Sequence, residues 1–131
     1  MTPRPARAAT FTGRQLDIMA ALWKLGPSTV AEVRATIADS LAYTTVLTLL
    51  RTLEAKGHVT HAASDRAHRF RALVTREAAG RAAVRLMLDR LFDGSPTALV
   101  EQLAALQGVE LADIKQIRKR LKRRLKGWRK E

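Results

Sequence analysis

Apolar residues recur at helical spacing in several separate stretches of the chain. Leu16, Met19, Ala20 and Trp23 predict the stripe of a first helix. Thr12 stands before it with Gln15 three positions on, the spacing of a capping box, and Phe11 and Leu16 are placed to close a hydrophobic staple. Gly26-Pro27 then stops the helix. A second box, Thr29 with Glu32, opens a short helix whose inner face is Val30, Val33 and Ile37. A turn around Asp39-Ser40 leads to a third helix, in which Val46, Leu49, Leu50 and Leu53 mark the buried side and Lys56-Gly57 the end. Beyond Gly57 the period changes. His58 to Ala62 and Ala67 to Val74 alternate in part on either side of Ser64-Asp65-Arg66, which reads as a two-stranded hairpin.

The far side of the third helix has an odd composition. Tyr43, Thr44, Thr45, Thr48, Arg51 and Thr52 line it, and each of its four threonines costs roughly 0.5 kcal/mol of helix propensity relative to alanine. Three short helices followed by a basic hairpin form a winged helix-turn-helix, whose third helix enters the DNA major groove while the wing lies along the backbone. In that setting the threonines offer hydroxyls and thymine-contacting methyls, and Arg51 can reach a guanine edge or a phosphate. The candidate DNA contacts are therefore Tyr43, Thr44, Thr45, Thr48 and Arg51, with Thr29 at the second helix and Arg66, His68 and Arg69 in the wing. Threonines merely tolerated on a solvated face are the competing explanation.

After the hairpin the helical period returns. Thr75 can cap a helix running to Phe92, and its Ala79, Ala82, Ala83, Leu86, Met87, Leu91 and Phe92 make an apolar face too wide for a lone surface helix. Ser95-Pro96 opens another helix carrying Leu99, Val100, Leu103 and Leu106, ended by Gly108. From Glu110 onward Leu111, Ile114, Ile117, Leu121, Leu125 and Trp128 recur at spacings of three and four. In so short a chain a second copy is the natural cover for these faces. The expected dimerisation residues are Leu86, Leu91, Phe92, Leu99, Leu103, Leu106, Ile114, Ile117 and Leu121. The alternative is a monomer with an intramolecular helical cap. The expected fold is thus mainly α, an α+β winged helix. Its parts are an arm expected to be disordered over residues 1–10, a DNA-binding domain over 11–74, and a helical dimerisation region over 75–131.

Charge sharpens this picture. The 131 residues carry 24 Lys and Arg against 12 Asp and Glu, a formal charge of +12, which favours a polyanionic partner. Residues 1–74 hold ten basic and five acidic side chains, 75–114 four and six, and 115–131 ten and one. The basic face of the last helix has three readings: solvated flank of a dimer helix, phosphate contact, or membrane surface. With no cysteine the chain has neither a disulfide framework nor a thiolate metal site. His58, His61 and His68 lie on or beside the hairpin, but wing histidines more often touch backbone or solvent and no cysteine accompanies them, so no metal is expected. Glycine-rich phosphate loops and nucleophile motifs are missing as well, which argues against an enzyme or a bound cofactor. The basic N-terminus lacks a following apolar segment, and no apolar run reaches the ~20 residues of a membrane span, so a cytoplasmic, nucleoid-associated protein is expected.

Several stretches, in order, resemble one family. These are Leu16-Asp17-Ile18-Met19 with Trp23, Gly26-Pro27, the run from Thr29 to Val33, AYTTVLTLLRTLEAKG, DRAHRFRALVTREAA and LFDGSPTALVEQL. They look like the penicillinase repressor family, the BlaI/MecI type, from about Thr12 to Leu103 and more loosely through the last helix. The resemblance implies a bacterial homodimeric repressor on an inverted-repeat operator, with recognition positions falling on Tyr43, Thr44, Thr45, Thr48 and Arg51. It also implies a membrane sensor pathway whose protease cleaves the dimerisation region, commonly at an Asn-Phe bond. The corresponding pair here is Gln102-Leu103. Copper-responsive relatives carry paired C-terminal cysteines, which this chain lacks. Two other functions stay open at this point: an architectural DNA-binding protein with little sequence preference, and a regulator that takes a small ligand between its two parts.

Overall fold

Helix α1 (Gly13–Leu25) starts where Thr12 takes the Gln15 N–H on its hydroxyl and Gln15 returns its side-chain oxygen to the Thr12 N–H, at 3.2 and 3.0 Å. The same reciprocal box, between Thr29 and Glu32, starts α2 (Val30–Thr36). Helix α3 (Tyr43–Ala55) follows, with Ala42 as an N-cap that makes no side-chain bond. Strands β1 (Val59–Ser64) and β2 (Ala67–Ala72) pair antiparallel, from Val59 opposite Ala72 to Ser64 opposite Ala67. Then come α4 (Arg76–Leu91), α5 (Pro96–Ala105) and α6 (Leu111–Arg129). The computed structural model describes residues 11–64 and 67–129. The expected N-terminal arm, and Asp65 and Arg66 of the hairpin, lie outside the described residues.

One core joins the first three helices to the wing. Ile18, Met19 and Leu22 of α1 meet Val30 and Val33 of α2, Val46, Leu50 and Leu53 of α3, and Val59 and Phe70 of the strands. The stripe of α1 is rotated from the expected one. Leu16 is 46% exposed and Ala20 is exposed, whereas Gln15, Ile18, Ala21 and Leu22 face inward. The capping box explains the rotation, because it satisfies the Gln15 amide oxygen at the helix start and lets the stem of a polar residue be buried. The expected staple changes with it: Phe11 packs edge-on against the His58 ring, centroids 4.8 Å apart, while Leu16 points to solvent.

A third edge extends the wing. Ser28 forms an isolated antiparallel bridge with Phe70, giving and taking backbone hydrogen bonds of 2.9 and 2.8 Å. Its hydroxyl donates to the Gly26 carbonyl at 2.7 Å, so this almost fully buried polar residue is satisfied. The bridge ties the link between α1 and α2 to the middle of β2 and fixes the sheet against the helices.

The chain divides into two compact units, the first ending at Leu86 and the second beginning at Met87. In the first, Thr75 caps α4 through the Ala78 N–H, and the Trp23 indole N–H holds the Val74 carbonyl at 2.9 Å. In the second, the Ser95 hydroxyl caps α5 with Pro96 at its first position, as the sequence predicts. This unit leaves much of its apolar surface bare. Helix α5 has no buried residue, and Leu91, Leu106 and Leu111 are 75%, 58% and 67% exposed. Leu88 reaches the interior, while Phe92, Leu99, Leu103, Ile114 and Ile117 are half-buried.

Candidate nucleic-acid interface

The threonine-rich face of α3 is fixed by its opposite side. With Val46, Leu50 and Leu53 fully buried, a turn of about 100° per residue leaves Thr44, Thr48 and Arg51 outermost, with Tyr43 and Thr45 flanking them. All five side chains are exposed. Leu49, expected on the buried side, is half-buried at the edge of the core. The hydroxyls are not equivalent. Thr48 donates to the Thr44 carbonyl at 2.8 Å and Thr52 to the Thr48 carbonyl at 2.9 Å. Thr48 therefore presents a methyl and acceptor lone pairs outward, whereas among the described residues the Thr44 and Thr45 hydroxyls have no partner and can also donate.

Polar bonds hold the elements around this face in place. Arg14 of α1 binds Asp39 in the turn before α3 at 2.8 Å and Asp17 at 3.3 Å, and the Arg34 Nε of α2 donates to the Leu41 carbonyl at 2.7 Å. The wing is tethered on both strands. Arg69 of β2 binds Glu32 of α2 at 2.9 Å, and His61 of β1 meets Glu54 of α3 at 2.6 Å. Pairs this exposed add little stability, and the two wing pairs join β2 to α2 and β1 to α3.

Strand alternation sorts the wing residues. Phe70 points into the core, so His68 shares its face and stacks edge-on with His61, ring centroids 4.8 Å apart. Arg69 and Arg71 take the other face. His68 and Arg69, grouped as candidate contacts from the sequence, thus stand on opposite sides of the hairpin, and the Arg69 guanidinium is already engaged by Glu32. Arg71 is exposed and was missed by sequence reasoning, although the alternation Arg69-Phe70-Arg71 carried the signal. Thr29 spends its hydroxyl on the α2 cap. A carboxylate does reach His61, since Glu54 arrives from α3. Among the described residues no three His, Cys, Asp or Glu side chains converge to hold a metal.

Glu32 serves the cap and the wing together. Its carboxyl is held below the ordinary 4.5, first by the Thr29 backbone N–H, then by the Thr29 hydroxyl and the Arg69 charge. A carboxyl lowered in the folded chain stabilises it fully above the unfolded value and loses that effect as pH falls through the lower folded value. Glu32→Gln keeps an amide oxygen for the Thr29 N–H but does not titrate. The variant should therefore show a smaller drop in melting temperature between pH 7 and pH 3 than the parent. Identical drops would place the titration that matters elsewhere.

The comparisons fit this geometry. A family model described as penicillinase repressor matches residues 11–123. The chain belongs to the penicillinase repressor family. It is a winged-helix transcriptional regulator of a repressor family, not an enzyme. No curated protein matches the sequence significantly. Among solved structures, a MarR family transcription regulator is similar over 98% of this chain and 80% of its own, at 16% identity and a TM-score of 0.50. A MarR family protein from Bacillus stearothermophilus aligns at 20% identity over 92% and 76%, with a TM-score of 0.49. MepR, a transcription regulator of the Staphylococcus aureus multidrug efflux pump MepA, aligns at 17% identity over 95% and 89%, with a TM-score of 0.48. At such identities the likeness is one of fold alone. The repressor has, among its described residues, no helix long and apolar enough to cross a membrane. The pair Gln102-Leu103 lies inside α5, with Gln102 exposed and Leu103 half-buried.

Proposed function

We propose that this repressor binds an inverted-repeat operator as a homodimer, placing α3 of each copy in the major groove of one half-site, in the cytoplasm at the nucleoid. The observation that carries this reading is the α3 face itself. Its exposed Thr44, Thr45, Thr48 and Arg51 stand opposite a fully buried face on the same helix, so the sequence spends helix propensity on a surface that has no role in the core. The bare apolar faces of α5 and of the α4 end, around Leu91, Leu99, Leu103 and Leu106, support a second copy as their cover. Relief of repression by cleavage at Gln102-Leu103, driven by a membrane sensor pathway and its protease, belongs to the same reading. A protease there needs α5 to open locally, because an intact helix does not fit a protease cleft in extended form.

Genome-wide DNA capture should return a recurring inverted repeat. On that duplex Thr44→Ala and Thr48→Ala should each lose about 1–3 kcal/mol of binding, the cost of a removed base-edge contact, with folding barely altered. Binding to a random duplex should hold steady. Equal losses on both duplexes would show that the threonines do not read bases.

A further inference from the structure

Helix α6 is a surface of a different chemistry. From Lys115 to Lys126, eight of twelve residues are Lys or Arg, and all eight are exposed. At 1.5 Å per residue they occupy about 17 Å of helix axis, roughly one positive charge per 2 Å. Duplex DNA carries one negative charge per ~1.7 Å of its own axis, so the two linear densities nearly match. The arrangement around the axis is equally one-sided in sign. Ile114, Ile117, Leu121 and Leu125 gather along one edge, and the cations take the remaining circumference.

An ordinary solvated helix mixes its charges, as α4 does with Glu77 and Asp89 among its arginines. In α6 the only acid between Leu111 and Arg129 is Asp113, which accepts the Glu110 N–H at the helix start. Among the described residues none of the eight cations is paired with a carboxylate. Like charges also recur four apart, as at Lys115/Lys119, Lys119/Arg123 and Arg120/Arg124, and each such pair disfavours the helix. A helix built against its own charge is relieved by a polyanion laid along it.

We propose that α6 is a second DNA-binding element, a sequence-indifferent clamp whose cations neutralise duplex phosphates while α3 reads the bases. It rests on the assignment of the chain as a DNA-binding repressor. The test is a four-site variant of the full chain, Lys122→Gln, Arg123→Gln, Arg124→Gln and Lys126→Gln, which keeps Leu121 and Leu125 and uses a good helix former. Each phosphate contact contributes about 0.9 to the slope of log K against log salt, so the variant should flatten that slope by about one to three units. It should also weaken operator and random duplex by the same factor, roughly tenfold or more, and leave the operator-to-random ratio intact. A control, Lys122→Arg with Lys126→Arg, retains charge and should retain the slope.

Circular dichroism at low salt should show no loss of helix in the glutamine variant, which separates lost charge from lost folding. An unchanged slope in a folded variant overturns the clamp and leaves base reading by α3 untouched. A flattened slope in a protein with no operator preference at all keeps the clamp and removes the proposed function instead. Vesicles containing phosphatidylserine are the remaining arm. If the four substitutions abolish vesicle binding but leave the DNA slope alone, α6 faces a membrane and the clamp is wrong.

Discussion

Leu103→Asp is expected to turn the proposed dimer into a monomer and to cut operator affinity by about 10²- to 10⁴-fold, the avidity that linked half-site binding provides. Leu103 lies on α5, half-buried beside Leu99 and within a turn of the exposed Leu106, on a helix with no buried position of its own. A carboxylate there costs little in the isolated chain, since solvent still reaches it. In a dimer seam the same charge is desolvated without a partner, which is among the most disruptive substitutions an interface can suffer. Sedimentation at micromolar concentration reads the assembly and a single half-site duplex reads the docking of one copy. A parent protein that sediments as a monomer, and binds one half-site as tightly as the full repeat, would end the dimer account of α5.

Leu50→Ala should be nearly as damaging by another route. Leu50 is fully buried at the centre of the core shared by α1, α2 and α3, and its truncation leaves a cavity worth about 2–5 kcal/mol. Against a total stability of roughly 5–15 kcal/mol that is a large fraction, and the melting temperature should fall by about 10 °C or more. DNA binding should fall with the folded fraction alone, because the side chain faces away from Thr48 and Arg51. Thermal and urea melts followed at two wavelengths measure the loss. A change below 1 kcal/mol would mean that α3 does not pack on α1 through this residue.

The local features were the legible ones. Both capping boxes, the glycine stop after α3 and the Ser95-Pro96 start depend on residues within four positions of one another, the hairpin on two short runs either side of a turn, and each is where the sequence places it. What escaped depends on distance or on single residues. The Ser28 bridge to Phe70 is one residue long and has no period to detect. The rotation of α1 turned on Gln15, a polar residue that a hydrophobicity pattern assigns to the surface and that its own cap allows inside. The wing tethers join Glu32 to Arg69 and Glu54 to His61 across separate elements, so no short motif marks them. The candidate surface on α3 was readable because its threonines contradict helix propensity. The sides of the wing were readable too, because alternation along β2 alone sets Arg69 and Arg71 against His68, whereas the engagement of Arg69 by Glu32 was not.

The back-bonded threonines have an entropic consequence. A hydroxyl anchored to the carbonyl one turn earlier leaves its side chain in a single rotamer, so Thr48 and Thr52 lose their freedom when the helix folds and have little more to lose when a ligand arrives. Tyr43 and Arg51, exposed and longer, keep theirs until contact. The outer face of α3 is therefore stiff at Thr48 and mobile at Tyr43 and Arg51: a surface facing Thr48 must fit it, while one facing the longer side chains can be followed.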